Sequence, residues 1–173
     1  MIYELHGCVP EIDASCYVSP NASIIGKVKL AKNVSIWDFV AIRGDLSEVS
    51  IGENSNVQEN TSVHLDKNFP VKIGKNVTIG HRCVIHGCEI GDNVVIGMGS
   101  ILLNGSKIPS DTIIGAGSLV TASTQIESGT VFAGSPAKFL KKIDEKLASY
   151  IKKNSEEYQE LAHAMKSAKR VKE

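Results

Sequence analysis

Aliphatic residues recur every six positions along most of this chain. The series runs Ile12, Val18, Ile24, Leu30, Ile36 and Ile42, then Ile51, Val57 and Val63, then Ile73, Ile79 and Ile85. One residue short of register it resumes as Ile90, Ile96, Leu102, Ile108, Ile114, Val120, Ile126 and Phe132. Four positions after nearly every one stands a small or β-branched residue, from Cys16, Ala22 and Val28 to Ser118, Thr124 and Thr130, with Gly, Asn or Asp commonly between. A helix of 3.6 residues per turn would carry such positions around its whole surface, so the period excludes a helical stripe.

Each unit reads instead as a short strand that points one aliphatic side chain inward and then turns a corner, three units closing one triangular coil. That is the hexapeptide β-helix, an all-β solenoid whose coils stack by parallel pairing at ~4.7–4.9 Å. About twenty units make about six to seven coils. The pattern fades after Phe132, and Pro136 marks a break before a different element. From Asp144, a plausible N-cap, Leu147, Tyr150, Ile151, Tyr158, Leu161, Ala162 and Met165 recur at three-and-four spacing, which predicts an amphipathic helix. The organisation expected is a β-helix over residues 1–137, with a C-terminal helix and tail over 138–173 lying on its flank as part of the same domain. The charged runs KKNSEE and KSAKRVKE read as solvated helix surface and tail.

Composition narrows the function classes. With 19 basic and 19 acidic residues there is no net field to draw nucleic acid or an anionic membrane. No stretch approaches the roughly 20 apolar residues of a membrane span, and the N-terminus lacks the basic and apolar regions of a signal peptide. Four cysteines without a C-x-x-C pair suit a reducing compartment, so a cytoplasmic protein is expected.

The candidate chemistry lies where the repeat breaks. The units at Ile42, Val63 and Ile85 have Leu46, Lys67 and Glu89 in the small-residue position, and each aliphatic is followed by Arg43, His64 or His86. At three units per coil all three defects share one face, one coil apart. His64 and His86 are separated by one eighteen-residue coil plus four residues, which the segment LDKNFPVK must extrude as a loop, so their backbones should lie ~4.8 Å apart. That suits two ligands of one metal ion. His81 lies on the preceding face, where a neighbouring chain could bring it in. His6 and His163 have no such context. Cys83 reads as a buried filler, and Cys88, two residues from His86, as a possible soft or supporting ligand. Arg43 and Asp45 form an opposite-charge pair, and Gln58 and Glu59 lead into Val63, with Gln58 phased to reach a metal-bound water from the adjacent face.

The segments RGD at Arg43 to Asp45, NVQENTSVH at Asn56 to His64, and IGHRCVIHGCEIGDNVVIGMGSILLNG from Ile79 to Gly105 resemble the gamma-class carbonic anhydrase family of hexapeptide-repeat proteins. The resemblance implies a left-handed β-helix and a homotrimer with a metal between subunits, His64 and His86 coming from one chain and His81 from its neighbour. It implies that Arg43 and Asp45 form an interface pair, that Gln58 sits beside the metal-bound solvent, and that Glu59 stands where the family usually has Asp. Metal-bound hydroxide would convert carbon dioxide to bicarbonate, with Glu59 and Asp66 as candidate proton acceptors. The ion expected is Zn2+, with Fe2+ or Co2+ equally compatible with imidazole ligands. The loop after His64 offers Lys67 where active members carry a glutamate, so low activity is expected. Two rival readings remain: a hexapeptide acyltransferase using acyl-coenzyme A, and a catalytically weak metal-binding trimeric scaffold.

Overall fold

The computed structural model describes residues 1–169 and 171; the last part of the expected tail, residues 170, 172 and 173, lies outside the described residues. The aliphatic series resolves into three ladders of parallel, in-register strands. Ile24, Ile42, Val63, Ile85, Leu102 and Val120 stack in the first. Ile12, Leu30, Ile51, Ile73, Ile90 and Ile108 form the second. Val18, Ile36, Val57, Ile79, Ile96, Ile114 and Phe132 form the third. The result is a parallel β-helix of about seven turns. All these side chains meet in one core, with Ile12 and Val18 at its open end only partly covered. The first two faces join into one sheet because two long strands, Ser23–Leu30 and Ala41–Ile51, run across the corner between them.

The small residues of the repeat are buried inside the corners, and several hydroxyls staple one coil to the next. Ser55 Oγ donates to the Gly74 carbonyl at 2.8 Å and Thr61 Oγ1 to that of Gly80 at 3.0 Å. Along one corner, Asn33, Asn54, Asn76, Asn93 and Asp111 all have positive φ, between 54° and 61°. Each amide donates to the next side-chain oxygen at 3.0–3.2 Å. Asn tolerates the left-handed region better than other side chains with a Cβ, which explains why this corner recurs as Asn or Asp.

The C-terminal helix spans Glu145–Ser167, and Asp144 caps it by accepting from the Leu147 N–H at 2.8 Å. It covers the outer face of the third ladder. There the outward residues Tyr17, Ser35, Asn56, Thr78, Val95, Ile113 and Val131 are all buried. Ile151 packs on Val95, Ile113 and Val131, while Tyr158 packs on Trp37 at a ring-centroid distance of 5.6 Å. Ser155, absent from the expected apolar stripe, is buried and donates to the Asn54 carbonyl at 3.0 Å. Tyr150, Leu161 and Met165 of that stripe are exposed, because the flank is one side chain wide along Ile151, Ser155, Tyr158 and Ala162.

Three local features differ from the six-residue pattern. An extra strand, Ile2–Tyr3, pairs with the first ladder through Ile2 and Ile24. Ile126 packs against the core without forming a strand. Lys138–Lys142 is a strand rather than the start of the helical region; it turns back antiparallel onto Thr130–Ala133, with Phe139 against Phe132. Its lysines face outward along a sheet edge, a common guard against edge-to-edge pairing.

Candidate metal centre

His64 and His86 end the strands Ser62–His64 and Val84–His86, which pair in register with His64 directly opposite His86. Each follows a core aliphatic, Val63 or Ile85, so strand alternation turns both imidazoles outward. The extra four residues between them form a tight loop. Leu65 drops into the core, and the Phe69 N–H donates to the Asp66 carbonyl at 2.9 Å. His64 Nδ1 and His86 Nε2 face each other at 3.1 Å.

The outer nitrogens determine what the inner ones present. His64 Nε2 lies 2.9 Å from Asp45 Oδ1, and Arg43 is paired with the other carboxylate oxygen of Asp45. A carboxylate only accepts, so His64 carries its proton on Nε2. His86 Nδ1 lies 2.7 Å from Asn104 Oδ1, which likewise only accepts. Both inner nitrogens therefore present lone pairs to one another, an arrangement that repels unless a cation or a proton sits between them. Two nitrogens bound to a tetrahedral Zn2+ at ~2.0–2.1 Å would lie roughly 3.3 Å apart. The donor set thus fits a divalent metal. Burial first, then the charges of Arg43 and His86, holds His64 below its ordinary 6.5, with Asp66 opposing, which favours the neutral ring that ligation needs.

His81 follows the strand Thr78–Ile79 on a different face and does not reach this pair. Among the described residues, no three His, Cys, Asp or Glu side chains converge to hold a metal ion within one chain. His81 Nδ1 is 2.7 Å from Glu59 Oε2, which leaves its Nε2 free. Gln58 shares the face of His81, not that of His64 and His86. It is buried, and its Nε2 donates to Asn56 Oδ1 at 3.1 Å, while Asn56 Nδ2 donates to Thr78 Oγ1 at 3.0 Å. Gln58, His81, Met98, Tyr150 and Asn154 line an open cavity of about 380 Å³ beside the helix.

Cys88 is not available as a ligand or support. It is buried in the core, and burial pushes its thiol up to about 12. Cys83 is the filler expected, with its thiol pushed up to about 11 for the same reason. The contact between Asp45 and His64 and the whole role of Asn104 were missed by sequence reasoning. A signal existed for Asn104: it lies one full coil, eighteen residues, after His86.

A parallel β-helix of six-residue units bearing a histidine pair on one edge and a third histidine on another defines the class of hexapeptide-repeat proteins. Residues 70–104 match the family model described as the hexapeptide repeat of succinyl-transferase. A relative from Methanocaldococcus jannaschii named "Probable carbonic anhydrase" is 42% identical over 158 residues, covering 91% of this chain and 99% of that protein. Gamma carbonic anhydrase 2, mitochondrial, of Arabidopsis thaliana is 40% identical over 168 residues, which are 92% of this chain and 60% of that protein. This chain therefore spans somewhat less than two thirds of the plant relative's length. The crystal structure of a hexapeptide transferase family protein from Anaplasma phagocytophilum superposes with a TM-score of 0.91 at 39% identity, covering 94% of this chain and 96% of that one. The chain belongs to the gamma-class carbonic anhydrase family.

Proposed function

We propose that this chain forms a homotrimer in which His64 and His86 of one protomer and His81 of a neighbour hold one divalent metal ion, and that the site interconverts carbon dioxide and bicarbonate. The observation that carries this reading is the pair of lone-pair nitrogens facing each other at 3.1 Å, each fixed from outside by an acceptor. When bound, the ion, Zn2+ or equally Fe2+ or Co2+, would supply Lewis-acid activation of water near neutral pH.

The chain's own residues do the rest. Asp45, held by Arg43, keeps His64 in the required tautomer. Glu59 does the same for His81 by accepting a hydrogen bond from its Nδ1–H, so that Nε2 reaches out toward the neighbouring subunit. Gln58 is braced by Asn56 and aligned with the cavity edge, placed to orient a reacting oxygen. The loop after His64 turns Asp66 back toward Asn104 and leaves Lys67 exposed, so proton removal falls to Glu59 and turnover is slow. The four free cysteines agree with a cytoplasmic, reducing location.

Stopped-flow measurement of carbon dioxide hydration, on protein purified without chelator and alongside His81→Ala, tests the reading. Hydration in the parent and its loss in the variant is the expected result; equal rates would overturn it. The structural match to a hexapeptide transferase family protein keeps acyl transfer as a second reading. Metal-free protein protected by acetyl-coenzyme A would favour that one. A metal-loaded trimer without hydration activity would point to the scaffold.

A further inference from the structure

Asn104 stands one coil beyond His86 and joins it to the loop that follows His64. Its Oδ1 accepts from the His86 Nδ1–H at 2.7 Å, and its Nδ2 donates to Asp66 Oδ2 at 2.5 Å. The two ends of the amide are not interchangeable, since the oxygen only accepts and the nitrogen only donates. Turned over, the amide would set its oxygen against the Asp66 carboxylate, oxygen to oxygen. Asp66 therefore decides which end faces His86, and that end decides which ring nitrogen keeps the proton.

Local backbone makes room for this chain of contacts. Gly87 has φ +55°, and a Cβ there would lie 2.1 Å from Asn104 Oδ1 and 2.8 Å from Phe69 Cβ. Without that methyl, both the amide and the loop close against the strand end. Leu65, wholly buried, anchors the loop, and the Asp66–Phe69 turn sets the carboxylate above Asn104. The short loop thus has a definite task.

We propose that Asp66 and Asn104 form a positioning relay that sets the tautomer and ring orientation of His86, so that its Nε2 is presented to the metal. This rests on the reading of His86 as a ligand. Supporting hydrogen bonds of this kind are worth about 10–100-fold in metal affinity.

The test has two readouts on the full-length protein. The first is the His86 tautomer in metal-free protein, read by long-range proton–nitrogen correlation of the imidazole; the second is Co2+ affinity, measured by competition with a chromophoric chelator. Wild type should carry the proton on Nδ1. Asn104→Leu should shift it toward Nε2 and weaken Co2+ binding about 10–100-fold, whereas Asn104→Asp combined with Asp66→Asn, which exchanges the carboxylate and the amide and so keeps an acceptor toward His86 Nδ1 and a donor between the two side chains, should restore both. Asp66→Asn, on the exposed loop, should give a mixed tautomer and weaker Co2+ binding, and it carries the test if Asn104→Leu does not assemble. An unchanged tautomer and unchanged Co2+ affinity in Asn104→Leu and Asp66→Asn overturn the relay alone. Failure of the wild type to bind Co2+ sinks the metal reading, and the relay's role in capture falls with it.

Discussion

His64 Nδ1 and His86 Nε2 face each other 3.1 Å apart with their lone pairs directed inward. A bound ion relieves that repulsion, so it stabilises the folded assembly by mass action, about 2.7 kcal/mol at a free metal concentration of 100 times Kd. Calorimetry should show Tm rising with added Zn2+ and falling with chelator, while native mass spectrometry follows the trimer. Because burial keeps His64 below 6.5, metal retention should decline only as the pH falls below that value. A Tm indifferent to both zinc and chelator would count against the site.

The corner ladder gives a test of the fold that does not involve the metal. Asn76 has φ 54°, accepts from Asn54 and donates to Asn93. Asn76→Ala loses both amide contacts and strains the backbone, at about 2–3 kcal/mol, whereas Asn76→Gly loses only the contacts, at about 1 kcal/mol. Urea titration of both variants should rank them in that order. Equal losses would show that conformation is not what selects Asn here.

Trp37, the single tryptophan, lies between Tyr17 and Tyr158, with ring centroids 5.3 and 5.6 Å away. Tyr158→Ala removes the helix's aromatic anchor. It should cost about 1–3 kcal/mol and shift the tryptophan emission to the red. Unaltered emission would mean that the helix is held elsewhere.

Thiolate is the reactive form of cysteine, and a raised pKa leaves little of it. With Cys83 pushed up to about 11 and Cys88 to about 12, neither should react with a thiol reagent at pH 8 in the native protein. Both should react in denaturant. Rapid native labelling of Cys88 would place it outside the core.

The fold was legible because the period of six maps one residue of each unit to the interior, and every ladder position read from the pattern except Ile126 pairs in its expected coil. Ile2 and Lys138–Lys142 escaped the pattern, and Ile126, though part of it, forms no strand, for a shared reason: at the ends of a solenoid, strands pair on one side only, and the repeat no longer constrains spacing. The helix was legible as an amphipathic stripe, but its width was not. Only the shape of the third face decides that Ser155 is covered while Tyr150 and Leu161 are exposed.

The same division holds for the site. By itself the sequence determined that His64 and His86 share an edge, because three units per coil and four extruded residues leave no other register. It placed His81 on another face for the same reason. Only the tertiary structure decided which nitrogen of each ring looks inward, since that depends on Asp45 and Asn104, acceptors that lie nineteen and eighteen residues away along the chain. Periodicity fixes where a backbone goes. The direction of a hydrogen bond depends on which side chains meet across coils.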